Sequence, residues 1–297
     1  MQLKNIATIK DIIFSLRPQQ WTKNLLVFAA LIFAKQLTDP SSVLDAILTF
    51  VSFCLLSSAV YLINDLLDAD SDRQHPLKSR RPIAAGKVSQ ITVITTAIFL
   101  VIISELISFG LNIKTGIVSS SFLILGIMYS ISLKHFVIID VISVSLGFVL
   151  RAVAGAFAIS VEISPWLLTC AFLLAMFLGL GKRRHEIVML EDEAVIHRKS
   201  LANYSTYFLD QLIAVVTAST LVAYCFYTLS PEIEHKLGTR YLSLTIPFVL
   251  YGIFRYLFLI HHTKSSGDPT KALLTDAPIL INIVLWIASI LALVYVW

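Results

Sequence analysis

The sequence predicts an all-α, polytopic membrane protein with about nine transmembrane helices. Hydrophobic residues make up 57% of its 297 positions and charged residues only 14%, whereas soluble domains are about 25% charged. The mean hydropathy of +0.82 agrees with these fractions. Apolar stretches near the roughly 20 residues that cross a hydrocarbon core recur along the whole chain. We therefore expect one integral membrane domain over residues 1–297.

Six stretches without a charged residue are the strongest candidate spans, at 46–64, 88–104, 115–133, 163–181, 211–231 and 277–297. Three others complete the expected nine: 24–34 is short, 137–158 contains Arg151, and 241–260 contains Arg255. A charge inside a span is expensive, so Arg151 is expected to tie helices together or to bind a phosphate, with the tie favoured. Arg255 lies near a span end, where its side chain can reach the interface.

The distribution of basic residues predicts the orientation. With nine spans and a cytoplasmic N-terminus, most of the 23 lysine and arginine residues lie on the cytoplasmic side, in agreement with the positive-inside rule. We expect a multi-pass protein of the plasma (inner) membrane whose active-site loops are cytoplasmic. Isoleucine and leucine recur at helical spacing near the N-terminus, which predicts an amphipathic surface helix within residues 1–20.

One polar stretch, residues 64–82, departs from this apolar composition. It reads NDLLDADSDRQHPLKSRRP and contains four carboxylates and four basic side chains. The second span continues into it without a helix breaker. At 100° per residue, four side chains fall within one arc about 100° wide, namely Asn64, Asp65, Asp68 and Asp72. Asp70 points away from that arc.

Like charges on one helix face repel, and they do so most strongly at the edge of a low-dielectric slab. A positive group is therefore expected at this cluster. Carboxylate oxygens suit Mg²⁺, which usually binds through one or two carboxylates plus substrate phosphates. The bases that follow are placed to hold the other side of a diphosphate. The alternative is a solvated loop whose acids and bases neutralise each other, but the single face and the membrane edge favour the cation site.

The pattern Asn64-Asp65-x-x-Asp68-x-x-x-Asp72, with the bases and prolines of 75–82 behind it, resembles the first aspartate-rich motif of the UbiA superfamily of intramembrane prenyltransferases. The resemblance implies nine transmembrane helices around a central cavity that opens to the lipid on one side. It also implies Mg²⁺ as the cofactor, with Asn64, Asp68 and Asp72 as metal ligands. Asp65, Asp68 and Asp72 are then the expected catalytic residues.

Further stretches narrow the resemblance to a branch of the superfamily that transfers a 5-phosphoribosyl group. They are LRPQQWTKNLLVFA, YSISLKHFVIIDV, LRAVAGAFA, GLGKRRHE and GDPTKALLTD. This resemblance implies phosphoribosyl pyrophosphate as donor and a polyprenyl phosphate, decaprenyl-like, as lipid acceptor. It implies nine substrate-binding residues, which are Lys23, Asn24, Lys78, Arg81, Tyr129, Lys134, Lys182, Arg183 and Glu186.

The loop after the span 163–181 departs from the superfamily pattern. Typical members carry a second acidic motif, D-x-x-x-D, that holds further metal on a prenyl diphosphate. Here the loop reads GKRRHEIVMLEDE, with Lys182, Arg183 and Arg184 ahead of any acid. A basic loop suits extra phosphates better than extra Mg²⁺. Glu186, one turn after Lys182, is placed to orient that lysine or a metal-bound water, and the sequence leaves both open.

Four other polar residues have weaker claims to the site. Tyr204 and Lys199 are candidate contacts to ribose or phosphate. Asp268 and Asp276 are evenly balanced between a site role and an ordinary turn role. The histidines and the three cysteines lack metal-ligand spacing.

Two other functions stay open on the sequence. A UbiA-type prenyltransferase would move a prenyl group from a prenyl diphosphate to an aromatic or other small acceptor, but the basic second loop disfavours it. An ion or solute carrier would place ionisable residues near mid-span, whereas the acids here collect at helix ends. No nucleic-acid partner is expected. No spacing determines the prenyl chain length, the Mg²⁺ stoichiometry or the oligomeric state.

Overall fold

The protein is described here by a computed structural model that covers residues 8–74, 78–190, 204–262 and 275–296. Within these ranges every regular element is a helix, which confirms the predicted all-α class. The α-helices are α1 (Ile9–Ser15), α2 (Ala29–Phe33), α3 (Pro40–Leu67), α4 (Ala69–Arg73), α5 (Gln90–Leu111), α6 (Ile113–Ile131), α7 (Ile139–Ala158), α8 (Pro165–Leu190), α9 (Thr206–Leu229), α10 (Pro231–Leu237), α11 (Ile246–His262) and α12 (Ala277–Tyr295). The 3₁₀ helices are Pro18–Phe28, Lys78–Arg80, Leu133–His135 and Tyr241–Thr245.

Eight helices in the described part of the chain are long and apolar enough to cross a membrane. They are α3, α5, α6, α7, α8, α9, α12 and the segment Tyr241–His262 that ends with α11. These eight coincide with eight of the nine predicted stretches. The ninth, 24–34, is not among the helices that satisfy length and hydropathy in the described part of the chain, so the predicted count of nine is not confirmed.

The predicted span 24–34 begins in the 3₁₀ helix Pro18–Phe28 and continues into α2 (Ala29–Phe33). The 3₁₀ helix runs antiparallel to α3. Its Trp21 donates a hydrogen bond to Ser58 at 3.0 Å, and its Phe28 ring lies 5.4 Å from the Phe50 ring. A 3₁₀ helix rises about 2.0 Å per residue. With α2, the segment therefore covers roughly the depth of the hydrocarbon core in fewer residues than an α-helix needs.

Close backbone packing fixes this 3₁₀ helix against α7. A Cβ atom on Gly155 would lie 2.0 Å from the carbonyl oxygen of Val27, so the position requires glycine. Val27 is fully buried at this contact. One turn away, the Arg151 guanidinium donates to the Asn24 side chain at 2.6 Å. Arg151 therefore ties α7 to the 3₁₀ helix, which is the structural role that its position inside a span predicts.

The helices form a closed bundle around these elements. α3 packs against α5 and α6, α8 packs against α9, and α7 contacts both α6 and α8. At the far end of the chain, the Tyr295 hydroxyl donates to the Ile32 carbonyl at 3.2 Å, so α12 meets α2. Because the long helices alternate in direction, α3 ends at the same face of the bundle at which α7 begins and α8 ends.

The short helix α1 agrees with the predicted amphipathic segment over its described residues. Ile12 and Leu16 pack against the apolar cluster of α3 and α5. Ile9 and Phe14 are 77% and 64% exposed on the other side, as expected of a helix that lies on a membrane surface. Residues 1–7 of the prediction lie outside the described residues.

Replacing Gly155 by alanine is expected to destabilise the protein, because the added methyl group collides with the Val27 backbone. Overpacking of this kind costs about 1–3 kcal/mol, which corresponds to a loss of a few degrees in apparent melting temperature in detergent. The control is Gly110→Ala in α5, where an added Cβ meets nothing within 4 Å. Equal melting temperatures for the two variants would contradict the close contact.

Candidate active site

The acidic cluster lies where α3 ends and the chain bends into α4. α3 ends at Leu67, and Asp68 stands between the two helices with φ −92° and ψ 1°. Because the helix is interrupted at Asp68, the side chains after it point in other directions than they would on one continuous helix. Asp70 is 94% exposed and pairs with Arg73 at 2.5 Å, in agreement with its predicted position away from the cluster.

Asp65 and Asp72 share one cation on the buried side of the bend. Both side chains are about 95% buried, and Arg81 contacts Asp65 at 3.0 Å and Asp72 at 2.6 Å. Arg17, at the start of the 3₁₀ helix, adds a second contact to Asp65 at 2.5 Å. Burial raises the pKa of the Asp72 carboxyl, and the charges of Arg81 and Lys78 oppose that shift. These groups hold the loop after α4 against the end of α3.

Asn64 and Asp68 form a separate site with Lys134. The Asn64 amide donates to Asp68 at 3.1 Å. The Lys134 ammonium lies 2.5 Å from an Asp68 oxygen and 3.5 Å from the Asn64 carbonyl oxygen. Lys134 belongs to the 3₁₀ helix that precedes α7, and its side chain is 10% exposed. One oxygen atom of Asn64 and one of Asp68 thus both lie close to the Lys134 ammonium.

This arrangement fits a divalent cation of the kind that the UbiA resemblance implies. Asn64 and Asp68 present hard oxygen ligands to a shared cation position, which Lys134 fills here. Among residues 8–74, 78–190, 204–262 and 275–296, no group of three or more His, Cys, Asp or Glu side chains could hold a metal. A metal at this site would therefore take its remaining ligands from phosphate oxygens and water, as Mg²⁺ commonly does. Asp72, predicted as a third ligand, instead contacts Arg81.

The predicted basic loop continues α8 as a helix, and two of its bases bind protein carboxylates. Arg183 is buried, and it contacts Asp140 of α7 at 2.8 Å and Glu186 at 2.5 Å. Arg183 also lies 3.5 Å from the Tyr129 hydroxyl. Arg184 pairs with Asp210 of α9 at 2.6 Å. Arg183, predicted to bind substrate, is therefore already held by acids and positions Glu186 and Tyr129.

Asp140 also joins this network to the start of α9. The Tyr204 hydroxyl donates to Asp140 at 3.0 Å and accepts a hydrogen bond from the Ile138 amide at 2.6 Å. Burial and the negative charge of Asp140 raise the pKa of Tyr204 to about 12, so the hydroxyl stays protonated. The described contacts of Tyr204 are thus structural, and Lys199, its companion candidate, lies outside the described residues.

Two other candidates of the sequence have protein partners. Asn24 is fully buried, and its amide is hydrogen-bonded to Arg151, Cys54 and Ser57. Asp276 pairs with Arg255 at 2.9 Å and caps the N-terminus of α12. The Arg255 hydrogen bond holds the pKa of the Asp276 carboxyl below its usual value.

Asp268 lies outside the described residues. The remaining predicted residues are Lys23, which lies in the 3₁₀ helix Pro18–Phe28, and Lys182, which lies in the last third of α8.

One side chain that sequence reasoning missed is Tyr61 of α3, which is half-buried one turn before Asn64. The Arg17 guanidinium carbon lies 5.1 Å from the centre of the Tyr61 ring. The helical spacing of three residues from Asn64 and seven from Asp68 was available in the sequence and places Tyr61 on the face of the acids. Arg17 was also missed, because its partner Asp65 lies 48 positions away along the chain.

An all-α membrane bundle with paired acids and bases at one end defines an integral membrane protein with a charged site at the membrane edge. The family model described as the UbiA prenyltransferase family matches residues 25–296. The chain therefore belongs to the UbiA prenyltransferase family. The predicted resemblance to this family is confirmed, and the protein is a transferase.

Among similar proteins, a decaprenyl-phosphate phosphoribosyltransferase of Mycolicibacterium smegmatis is 33% identical, with 97% of this chain and 93% of the relative covered. A protein of the same name from Corynebacterium glutamicum is 32% identical over 99% of this chain and 89% of the relative. A solved UbiA homologue from Archaeoglobus fulgidus, bound to GPP and Mg²⁺, has a TM-score of 0.73. It is 22% identical, with 96% of this chain and 99% of that chain covered, and shows that the fold is shared.

Replacing Lys134 by methionine is expected to strengthen divalent-cation binding in the absence of substrate, because the ammonium competes for Asn64 and Asp68. Loss of one unit charge at this distance is worth on the order of tenfold in affinity at a partly screened site. Electron paramagnetic resonance of free Mn²⁺ measures the affinity directly. Lys87→Met, which removes an exposed charge, is the matched control. Unchanged or weaker Mn²⁺ binding by Lys134→Met would contradict the shared cation position.

Proposed function

We propose that this enzyme transfers the 5-phosphoribosyl group of phosphoribosyl pyrophosphate to a polyprenyl phosphate and releases pyrophosphate. The observation that carries the proposal is the sequence at the α8 end, where Lys182 and Arg183 stand in place of a second acidic motif, although Arg183 is itself held by Asp140 and Glu186. A donor and an acceptor that together bring one diphosphate and two phosphate monoesters suit such an end. The names of the two relatives above support the same reaction.

In this reaction the bond between C1 of ribose and the diphosphate oxygen breaks, and a new bond forms between C1 and an oxygen of the lipid phosphate. The diphosphate leaves with the electron pair of the broken bond. Mg²⁺ held by Asn64 and Asp68 would neutralise the charge that develops on this leaving group. Asp72, close to Asp68 in the chain, is a further ligand if Arg81 moves onto the diphosphate.

The protein's own residues position the reactants. Lys134, Arg81 and Lys78 provide positive charge on the side of the bend that faces Asp68 and Asp72. Asp65 also contacts Arg81, at 3.0 Å, and this contact fixes the orientation of the Arg81 guanidinium. The acceptor phosphate is ionised near neutral pH and requires no general base. Catalysis then depends on positioning and on electrostatic stabilisation.

The location of the site suits one soluble and one lipid substrate. The acids and bases lie at the end of an apolar bundle, so a polyprenyl tail can stay in the lipid while its phosphate reaches the charged edge. A charged sugar diphosphate approaches from water. The bias of basic residues supports the proposal that this end faces the cytoplasm at the plasma (inner) membrane, and we propose that residues 1–297 act as one domain.

The direct test uses purified protein in detergent with Mg²⁺, polyprenyl phosphate and phosphoribosyl pyrophosphate labelled in the ribose. We expect a labelled lipid and one pyrophosphate for each lipid product, both dependent on the divalent cation. Turnover of geranyl diphosphate with an aromatic acceptor, and no labelled lipid, would overturn the proposal in favour of prenyl transfer.

The three aspartates of the bend are expected to respond differently to removal of charge. Asp68→Asn and Asp72→Asn should each lower turnover by about 100-fold or more at any Mg²⁺ concentration, since both face the cations that would meet the diphosphate. Asp70→Asn, at an exposed position, is the matched control and should keep nearly full turnover. Initial rates on variants with unchanged elution in gel filtration measure the difference, and equal losses at all three positions would contradict the assignment.

A further inference from the structure

Arg17, the residue just before the 3₁₀ helix Pro18–Phe28, has a backbone conformation that arginine rarely adopts. Its φ of 54° and ψ of 59° lie in the left-handed region, which few residues other than glycine, asparagine and aspartate occupy. Such conformations persist only where the surrounding structure holds them, and they are concentrated at functional sites. The contacts of the Arg17 side chain are therefore the place to look for a function.

Three positions on one face of α3 hold Arg17 in place. The Ser58 hydroxyl lies 2.9 Å from the carbonyl oxygen of Leu16, the residue before Arg17. The Arg17 guanidinium carbon lies 5.1 Å from the centre of the Tyr61 ring, and its Nη2 atom donates to Asp65 at 2.5 Å. Because these α3 residues are spaced by three and four positions, they share one side of the helix. The left-handed backbone thus directs the guanidinium along α3 to a carboxylate.

That carboxylate has a second arginine partner on the same oxygen atom. Asp65 Oδ1 accepts from Arg17 Nη2 and, at 3.0 Å, from Arg81 Nη1. The same Nη1 atom of Arg81 also contacts Asp72 at 2.6 Å. The two carboxylate side chains are 4% and 5% exposed, whereas the Arg81 side chain is 26% exposed. Arg81 is therefore the shared partner of two buried acids, and Arg17 is an additional partner for one of them.

The additional partner decides whether Arg81 can leave these acids. A buried carboxylate that loses its cation is strongly destabilised. When Arg81 moves onto a diphosphate, Asp65 keeps Arg17 and stays paired, and Asp72 is released toward the metal. Without Arg17, the same movement would leave Asp65 buried and unpaired, so Arg81 would stay where it is.

We propose that Arg17 is a positioning residue that keeps Asp65 paired and thereby allows Arg81 to move from Asp72 onto the leaving diphosphate. The role rests on the proposed function only through the release of pyrophosphate, which prenyl transfer shares. Arg17 acts through Asp65 and not by contact with the reactants. The left-handed backbone and the Tyr61 ring keep its guanidinium on Asp65 while Arg81 turns.

The test measures pyrophosphate binding to the purified full-length protein by calorimetry in the presence of Mg²⁺. Arg17→Gln is expected to weaken this binding by about tenfold, the scale of one hydrogen bond to a charged group. Arg17→Lys keeps the positive charge and should bind with nearly wild-type affinity. Lys10→Gln, which removes an exposed charge from α1, is the matched control and should bind as the wild type does.

A second substitution separates this role from two alternatives, a direct contact of Arg17 with pyrophosphate and a purely structural tie between α1 and α3. Asp65→Asn, added to Arg17→Gln, leaves no buried charge behind when Arg81 moves. The double variant should therefore bind pyrophosphate within about threefold of the wild type, because both substitutions act on one contact. Neither alternative predicts this recovery.

A double variant that binds pyrophosphate as weakly as Arg17→Gln would overturn the proposal, and so would wild-type affinity in Arg17→Gln. If Arg17→Gln aggregates in gel filtration, the double variant decides alone, with wild-type affinity in favour and weak binding against.

These results are distinguishable from failure of the proposed function. Wild-type protein that makes no phosphoribosyl lipid, yet shows the recovery by Asp65→Asn, keeps the role of Arg17 and rejects the reaction. Wild-type protein that makes the lipid, with Arg17→Gln binding pyrophosphate normally, keeps the reaction and rejects the role of Arg17.

Discussion

The carboxylates at the end of α3 cannot stay at the edge of an apolar bundle without cations, and much of the site follows from this constraint. Asp65 attracts Arg17 from the N-terminal segment and Arg81 from the loop after α4. Asp68 attracts Lys134 from the loop before α7. Three distant parts of the chain are thereby held at one point. Without these pairs, the buried acids would carry a desolvation cost of several kcal/mol.

The same principle organises the other half of the site. Asp140, fully buried at the start of α7, holds Arg183 at the end of α8 and the Tyr204 hydroxyl before α9. Because these contacts are ionic and not apolar, the proposed reaction would exchange them for contacts with the metal and the substrates. A metal can replace the Lys134 ammonium beside Asp68, and a phosphate can take the place of a carboxylate beside a base. The charged side chains that would bind the metal and the phosphates are thus held in position by each other before substrate binds.

The sequence predicts the helices well because hydropathy is a local property. It predicts the site only in part, because the ion pairs of the site join residues that are far apart in the chain. Eight predicted spans coincide with eight helices, whereas 24–34 is divided between a 3₁₀ helix and the short helix α2, a change of helix type that hydropathy does not mark. The shared face of Asp68 and Asp72 assumes a straight helix, but the chain bends at Asp68. Arg183 was predicted to bind substrate because Asp140, its partner 43 positions earlier, is not marked by any local pattern.

The position of a bound divalent cation tests the central claim most directly. The measurement is the anomalous scattering of Mn²⁺ in crystals of the protein grown with phosphoribosyl pyrophosphate. We predict one peak within coordination distance of Asn64 and Asp68, with the Lys134 ammonium displaced onto the diphosphate. A peak elsewhere, with Lys134 still on Asp68, would contradict the claim that the acidic end of α3 exchanges a protein cation for the metal of its donor.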